Sequence, residues 1–306
     1  MNKRQLGTSN LYVSEISLGC MSLGQDKHHA KSIIDKALDA GINYLDTADL
    51  YDFGMNEEII GEAIQGRRED LLLGTKAGNH FKQGEEGWSW DPSKSHIKTA
   101  VKDSLQRLKT DYIDLYQLHG GTIDDPINET IEAFEELKQE GLIREYGISS
   151  IRPNVIREYV EKSNIVSVMM QYNALDRRPE EGILDLLKDN QISVLARGPL
   201  AKGMLSSEGK EVARMKAKDG FLDYSYDEVL TISEKWQQLA NDKRSASALA
   251  LGYILHHPAV ATTVFGASSI EQLNENLSYL ESLPLTKHLY EDIQALTKPI
   301  TYQKHR

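Results

Sequence analysis

The sequence predicts an α/β fold, a (β/α)8 TIM barrel opened by an N-terminal β-hairpin. Two observations carry this prediction. Eight short β-rich runs alternate with helix-period runs, the pattern of a parallel sheet with its crossover helices. No G-x-G-x-x-G follows the first run, which argues against the runner-up, a doubly wound dinucleotide-binding sheet.

The strand candidates are 16–18, 42–45, 71–75, 112–118, 145–148, 166–171, 193–197 and 262–265. The helix candidates are 30–40, 57–65, 95–108, 130–140, 154–162, 182–188, 227–240 and 270–280, set by apolar spacing of three and four. Ala40-Gly41-Ile42 and Glu140-Gly141-Leu142 place glycine where a helix ends in the left-handed region. Residues 4–13 read as a hairpin, with Gly7-Thr8-Ser9-Asn10 as its turn. Two connections, 77–92 and 205–226, are longer than a barrel needs, and both follow strands, on the face where loops form substrate walls. The first carries Phe81, Trp88 and Trp90, and the two tryptophans read either as pins holding the loop to the barrel or as a substrate wall. No linker or repeat divides the chain, so residues 1–306 are expected to form one domain.

Composition narrows the function. The chain has 306 residues and a formal net charge of −11, without the clustered cationic face that nucleic acid requires. No run approaches the ~18 apolar residues of a membrane span, and the N-terminus has no apolar leader core. A soluble, cytoplasmic protein is therefore expected, a monomer or weak homo-oligomer, with no nucleic-acid or membrane partner. The single cysteine, Cys20, permits no internal disulfide, and no CxxC, HExxH or calcium-loop spacing calls for a metal.

Three strand candidates end on ionisable groups: Asp46, Lys76 and His119, with Tyr51 shortly after Asp46. Any one of these alone reads as an ion pair or a cap. Together, at the C-terminal ends of consecutive barrel strands, they share one mouth, where barrel enzymes keep their chemistry. A phenol titrates near ~10, so it donates a proton at neutral pH only if its phenolate is stabilised. Lys76 can supply that charge, Asp46 can hold the lysine ionised, and His119 can donate to a substrate oxygen or relay a proton to Tyr51. The proton acceptor is expected to be a carbonyl oxygen charged by arriving hydride. No side chain donates hydride, so a nicotinamide cofactor is required.

The segments 43–51, Gly74-Thr75-Lys76 and Asp114-Leu115-Tyr116-Gln117-Leu118-His119 resemble the signatures of the aldo-keto reductase superfamily. The resemblance is collinear over nearly the whole chain and closest to the branch with the potassium-channel β subunits. It implies Tyr51 as general acid, Lys76 and Asp46 as its tuning pair, and His119 as the group orienting the carbonyl. It also implies a substrate site at Tyr51, His119 and Trp88.

For the cofactor, the resemblance implies contacts from Gly19, Cys20, Met21 and Asp46. Ser149 and Ser150 with Gln171 are similar to the nicotinamide carboxamide site, and Arg197 stands at its ring-stacking position. Gly198, Pro199, Leu200, Lys202 and Gly203 resemble the pyrophosphate loop. Phe265, Gly266, Ser268, Gln272, Glu275 and Asn276 resemble the adenosine-phosphate site, at a helix N-terminus suited to an anion. Ser269-Ile270-Glu271-Gln272 also reads as a capping box.

Four departures from the family pattern bear on detail. Arg197 replaces an aromatic ring, Ser150 replaces a frequent asparagine, and Gly120-Gly121 should widen the pocket. No arginine or lysine lies between Gly266 and Asn276. The implied cofactor is NADPH, with NADH as the alternative. The implied function is reduction of a small aldehyde or ketone substrate; the other reading is an NADP(H)-binding regulatory protein with little turnover. The pairs His28-His29 and His256-His257 read as solvated caps, and Glu85-Glu86 and Glu135-Glu136 as solvated faces.

Overall fold

The computed structural model describes residues 1–82 and 87–306; Glu85 and Glu86 lie outside the described residues. Strands β1 (Lys3–Gln5) and β2 (Tyr12–Ser14) pair as the hairpin. Then come β3 (Ile16–Gly19), α1 (Lys27–Asp39), β4 (Tyr44–Asp46), α2 (Met55–Ala63) and β5 (Leu72–Ala77). A second, minute hairpin, β6 (Asn79–His80) and β7 (Ser89–Trp90), precedes α3 (Lys94–Leu108). The alternation resumes with β8 (Ile113–Leu118), α4 (Ile127–Gln139), β9 (Ile143–Ser149), α5 (Pro153–Lys162), β10 (Ser167–Gln171), α6 (Ile183–Asp189) and β11 (Ser193–Arg197). Helices α7 (Gly209–Lys216), α8 (Tyr226–Leu239) and α9 (Ala246–Leu255) lead to β12 (Val260–Gly266), and α10 (Ile270–Leu277) and α11 (Lys287–Leu296) end the chain.

Strands β3, β4, β5, β8, β9, β10, β11 and β12 close into a parallel barrel in chain order, the last pairing with the first at Val264 and Ser17. This is the (β/α)8 barrel that the alternation predicts, and each of the eight expected strands is in it. Helices begin where polar side chains satisfy free amides: Asp26 accepts from His28 and His29 at α1, and Ser225 with Glu228 forms a reciprocal box at α8.

The hairpin plugs the barrel floor. Leu6, Leu11 and Val13 pack with Tyr44, Leu115, Val166, Met169 and Leu195 in one buried cluster. Its turn lies so close to the barrel that a Cβ on Gly7 would stand 2.6 Å from the Val166 carbonyl oxygen, and Gly7 has φ +52°, a conformation and an approach that glycine permits. The floor is thus apolar and closed, and the polar groups collect at the other end.

Three helices escape the periodicity. In α9, Ala-Ser-Ala-Leu-Ala-Leu-Gly-Tyr-Ile-Leu is buried nearly all round, so no polar stripe marks a helical period. In α7 and α11 the buried stripe is thin, Gly209 and Ala213 in one and Ile293 in the other. The 270–280 candidate stops at Leu277 and tightens into a 3-10 turn, Ser278–Glu281. Of the acid pair 135–136, Glu136 bridges Lys94 and Lys98 between helices, while Glu135 accepts the Tyr146 hydroxyl.

Candidate active site

The register of β4 sets Asp46 between Gly19 of β3 and Gly74 of β5 at the barrel mouth. A Cβ on Gly74 would fall 2.1 Å from the Tyr44 hydroxyl, so glycine there lets the Tyr44 ring fill the barrel beneath Asp46. The Tyr44 hydroxyl donates to Asp46 Oδ1 at 3.2 Å, joined by the Gln117 amide at 3.5 Å. Lys76 Nζ donates to Asp46 Oδ2 and to the Thr47 carbonyl, each at 2.6 Å, and Tyr51 stands beside it. Burial opposes the ammonium, but Asp46 and Tyr51 beside it outweigh that and lift Lys76 above the ordinary lysine value. Lys76 is therefore a fixed positive charge against the phenol, 5.1 Å from the ring centroid.

Tyr51 sits in the turn that joins β4 to α2. Asp52, Phe53 and Gly54 all have positive φ, 48°, 52° and 92°, a reversal that surrounding contacts must hold. The Asp49 amide donates to the Lys76 carbonyl at 3.1 Å. The Thr47 hydroxyl donates to Asn56, whose amide reaches the Cys20 carbonyl at 2.9 Å. Burial, then the neighbouring Glu57, pushes the Asp49 carboxyl well above its ordinary value.

His119 follows β8, its amide on the Ala77 carbonyl at 2.7 Å. Its ring meets Tyr51 edge to face, centroids 5.7 Å apart, and its Nδ1 is buried without a partner. Burial, with Lys76 and Arg197 nearby, pushes its pKa down to about 3. The imidazole is neutral at pH 7, which fits a hydrogen-bonding role.

These groups floor a cavity of about 920 Å3, at the large end of small-molecule sites. Gly19, Cys20, Met21, Asp46, Ser149, Ser150, Gln171, Arg197, Gly198, Lys202 and Gly266 line it, as do Tyr51, His119 and Trp88. Pro199, Leu200, Gly203, Phe265, Ser268, Gln272, Glu275 and Asn276 lie beyond its lining. Cys20 is fully buried, and burial with Asp46 raises its thiol far above the range of a reactive cysteine. Arg197 is exposed and donates to Gln171 Oε1 at 3.2 Å; Gln171 in turn donates to Asp176, which Arg178 grips with two donors.

At the far end, Ser269 accepts the Gln272 amide at 3.3 Å, the first half of the expected capping box. The Gln272 side chain reaches one residue too far for the second half: its Oε1 accepts from the Ser268 amide and hydroxyl. Glu275 accepts from Ser207 and Ser247, each at 2.7 Å. Asn276 is buried, with Oδ1 unpartnered.

Trp88 is exposed and Trp90 half-buried, and both border the cavity. Trp90 donates from Nε1 to Asp125 at 3.0 Å, and its ring lies where a Cβ on Gly78 would be, at 2.7 Å. It also stands 3.3 Å from a Cβ built on Gly120. The widening expected from Gly120 is thus taken up by the Trp90 indole.

Several lining residues carry no motif: Asn79, Thr122, Ile151, Arg152, Met169 and Phe221. They come from loops and an inward-facing strand position, where no spacing rule reads them. His29 is exposed in the first turn of α1, as expected, and its Nε2 also meets the Ser268 carbonyl at 2.9 Å. His256 stacks on Tyr290 with centroids 4.1 Å apart.

A parallel barrel closed at the floor, with an ion pair buried beneath a phenol and an imidazole at the open end, defines a barrel enzyme of acid–base chemistry. The Aldo/keto reductase family model matches residues 15–298, and the chain belongs to that family, whose members are NAD(P)H-dependent oxidoreductases acting on carbonyl compounds. It is similar to oxidoreductase YqkF of Bacillus subtilis (strain 168), 59% identical over the whole of both chains. It is 32% identical to an NADH-specific methylglyoxal reductase of Escherichia coli (strain K12), over 92% of this chain and 94% of that one. Among solved structures it resembles aldo-keto reductase AKR11C1 from Bacillus halodurans in its holo form, at 57% identity and TM-score 0.93, covering 100% of this chain and 99% of the other. Among the described residues, no helix is long and apolar enough to cross a membrane.

Proposed function

We propose that the protein reduces aldehydes or ketones to alcohols with hydride from NADPH, Tyr51 acting as the general acid. The observation that carries this reading is the buried Lys76–Asp46 pair, 2.6 Å apart, set against the Tyr51 phenol at the foot of a cavity of about 920 Å3. The ammonium stabilises the phenolate left when the proton departs, and the neutral His119 ring offers a hydrogen bond to the carbonyl oxygen. Acid assistance of this kind contributes about 10²–10⁴-fold.

The residues suit a nicotinamide dinucleotide. Two buried polar atoms without a partner among the described residues, His119 Nδ1 and Asn276 Oδ1, lie at the two ends of the proposed site. Ser149, Ser150 and Gln171, which the resemblance assigns to the carboxamide, line the cavity, and Arg197 offers a flat cation where other members stack an aromatic ring. A bound nicotinamide supplies the hydride. The chain's own residues position the carbonyl beside it, and Trp88, Trp90, Ile151 and Phe221 give the cavity an apolar rim that suits a carbonyl with an apolar body.

NADPH is preferred because the resemblance favours it and because His29 brings an imidazole to Ser268, on a loop without arginine or lysine. The name of the Escherichia coli relative makes NADH and 2-oxoaldehydes the natural comparison. The test is a panel of small aldehydes and ketones, methylglyoxal included, followed by loss of reduced-cofactor absorbance with each dinucleotide. Turnover with NADPH supports the reading; tight binding of NADPH without reduction of any panel member replaces it with a regulatory role.

A further inference from the structure

We propose that His80, Asp91 and His96 form a binding site for a divalent first-row transition metal, zinc being the best match, at the root of the β6–β7 hairpin. One ligand atom from each residue lies within 4.8 Å of the other two. The residues come from three places: His80 from β6, Asp91 from just after β7, and His96 from the first turn of α3. Their spacing in sequence, eleven and five residues, matches no metal motif, so only the fold brings them together.

Chemistry and geometry agree. Two imidazoles and a carboxylate suit zinc, cobalt and nickel. Ligand atoms about 2.0–2.1 Å from a tetrahedral ion stand roughly 3.4 Å apart, so small side-chain rotations close the gap from the observed separation. The two rings meet edge to face, centroids 5.4 Å apart.

The His96 ring stands beside the Asn79 carbonyl, while its Nε2 is buried and has no partner among the described residues. Metal-binding histidines use this arrangement: one ring nitrogen fixed by an outer carbonyl, the other turned to the ion. Asp91 is fixed at both ends, its amide donating to the Gly78 carbonyl and its Oδ1 accepting the Ser93 amide at 3.0 Å. Without an ion, a buried nitrogen with no partner is destabilising.

The site has a structural consequence. Asn79 pairs with Trp90 and His80 with Ser89, so an ion here ties both strands of the hairpin to α3. Trp88 and Trp90, which border the cavity, ride on that hairpin. The metal fastens the substrate wall and leaves the proton-donating groups untouched.

The experiment uses tag-free protein, stripped with a chelator, and equilibrium dialysis against ZnCl2 with CoCl2 as the spectroscopic probe. The expected result is one metal per chain, visible d–d bands with cobalt, and quenching of tryptophan emission by cobalt. His80→Ala should weaken binding at least about tenfold, and because His80 is exposed the variant keeps its fold; His96→Ala should weaken it further. Tyr51→Phe should bind metal like the wild type, which separates this site from the cavity. Absence of stoichiometric metal, or equal affinity in the wild type and both histidine variants, overturns the proposal. Neither result bears on carbonyl reduction.

Discussion

Lys76 Nζ lies 2.6 Å from Asp46 Oδ2, with the two side chains 1% and 5% exposed. An ion pair so deeply buried is sensitive to the loss of one partner, because the survivor keeps its charge away from water. Asp46→Asn is expected to destabilise the protein by about 3–5 kcal/mol, measured by denaturant unfolding. The double variant Asp46→Asn with Lys76→Met should recover part of that loss. A double variant no more stable than Asp46→Asn would show that the pair is not coupled in this way.

Tyr51→Phe removes a hydroxyl that Lys76 contacts but leaves the ion pair intact. It is expected to lower kcat by at least about 10²-fold while dissociation constants for the dinucleotide stay the same. Steady-state kinetics beside fluorescence titration check this, and near-normal turnover would remove Tyr51 from the acid role.

His119 gives a pH signature. Its pKa in the folded protein is about 3, while in the unfolded chain it returns to about 6.5. Between these values the unfolded state binds the extra proton, so stability is complete above pH ~6.5 and declines as pH falls toward 3. In His119→Gln this contribution should vanish, and its unfolding free energy should fall less steeply with acid than that of the wild type. Parallel slopes between pH 6.5 and 4 would count against a buried neutral imidazole. For the same reason kcat should show no step from this residue near pH 6.5.

Gly78 has φ +125° and no room for a Cβ, since Trp90 lies 2.7 Å from where it would be. Gly78→Ala should therefore displace the indole from the wall. The expected effect is a several-fold rise in KM for the carbonyl substrate with kcat little changed, because Tyr51, Lys76 and His119 keep their contacts. Loss of kcat with constant KM would place Trp90's influence on the chemistry instead.

At position 197 a guanidinium faces the proposed ring site. A cation there should favour the neutral reduced ring over the cationic oxidised one, by a factor tempered by the exposure of Arg197. Arg197→Tyr should bring the dissociation constants for NADPH and NADP+ closer together. An unchanged ratio would leave the arginine without this role.

Much of the fold was legible in the sequence because its signals are local. The alternation of strand and helix runs, the glycines at Gly41 and Gly141, and the turn at 7–10 each depend on neighbours within a few residues. Asp46, Lys76 and His119 were legible as strand ends for the same reason. Helix α9 was not, because a helix buried on every side shows no amphipathic period.

What the sequence by itself determined is the order of the elements, the class of the barrel and the four residue types that its strand ends and one following turn present. Tertiary structure alone decided their state and their company. Burial made His119 neutral, while Asp46 and Tyr51 packed beside Lys76 kept its charge against burial, because the surroundings decide which form of a group is stable. Closure of the barrel and of its loops put Trp90 into the space left by Gly120, set His29 against Ser268, and gathered His80, Asp91 and His96 from separate elements, since through-space neighbours follow from packing and not from spacing along the chain.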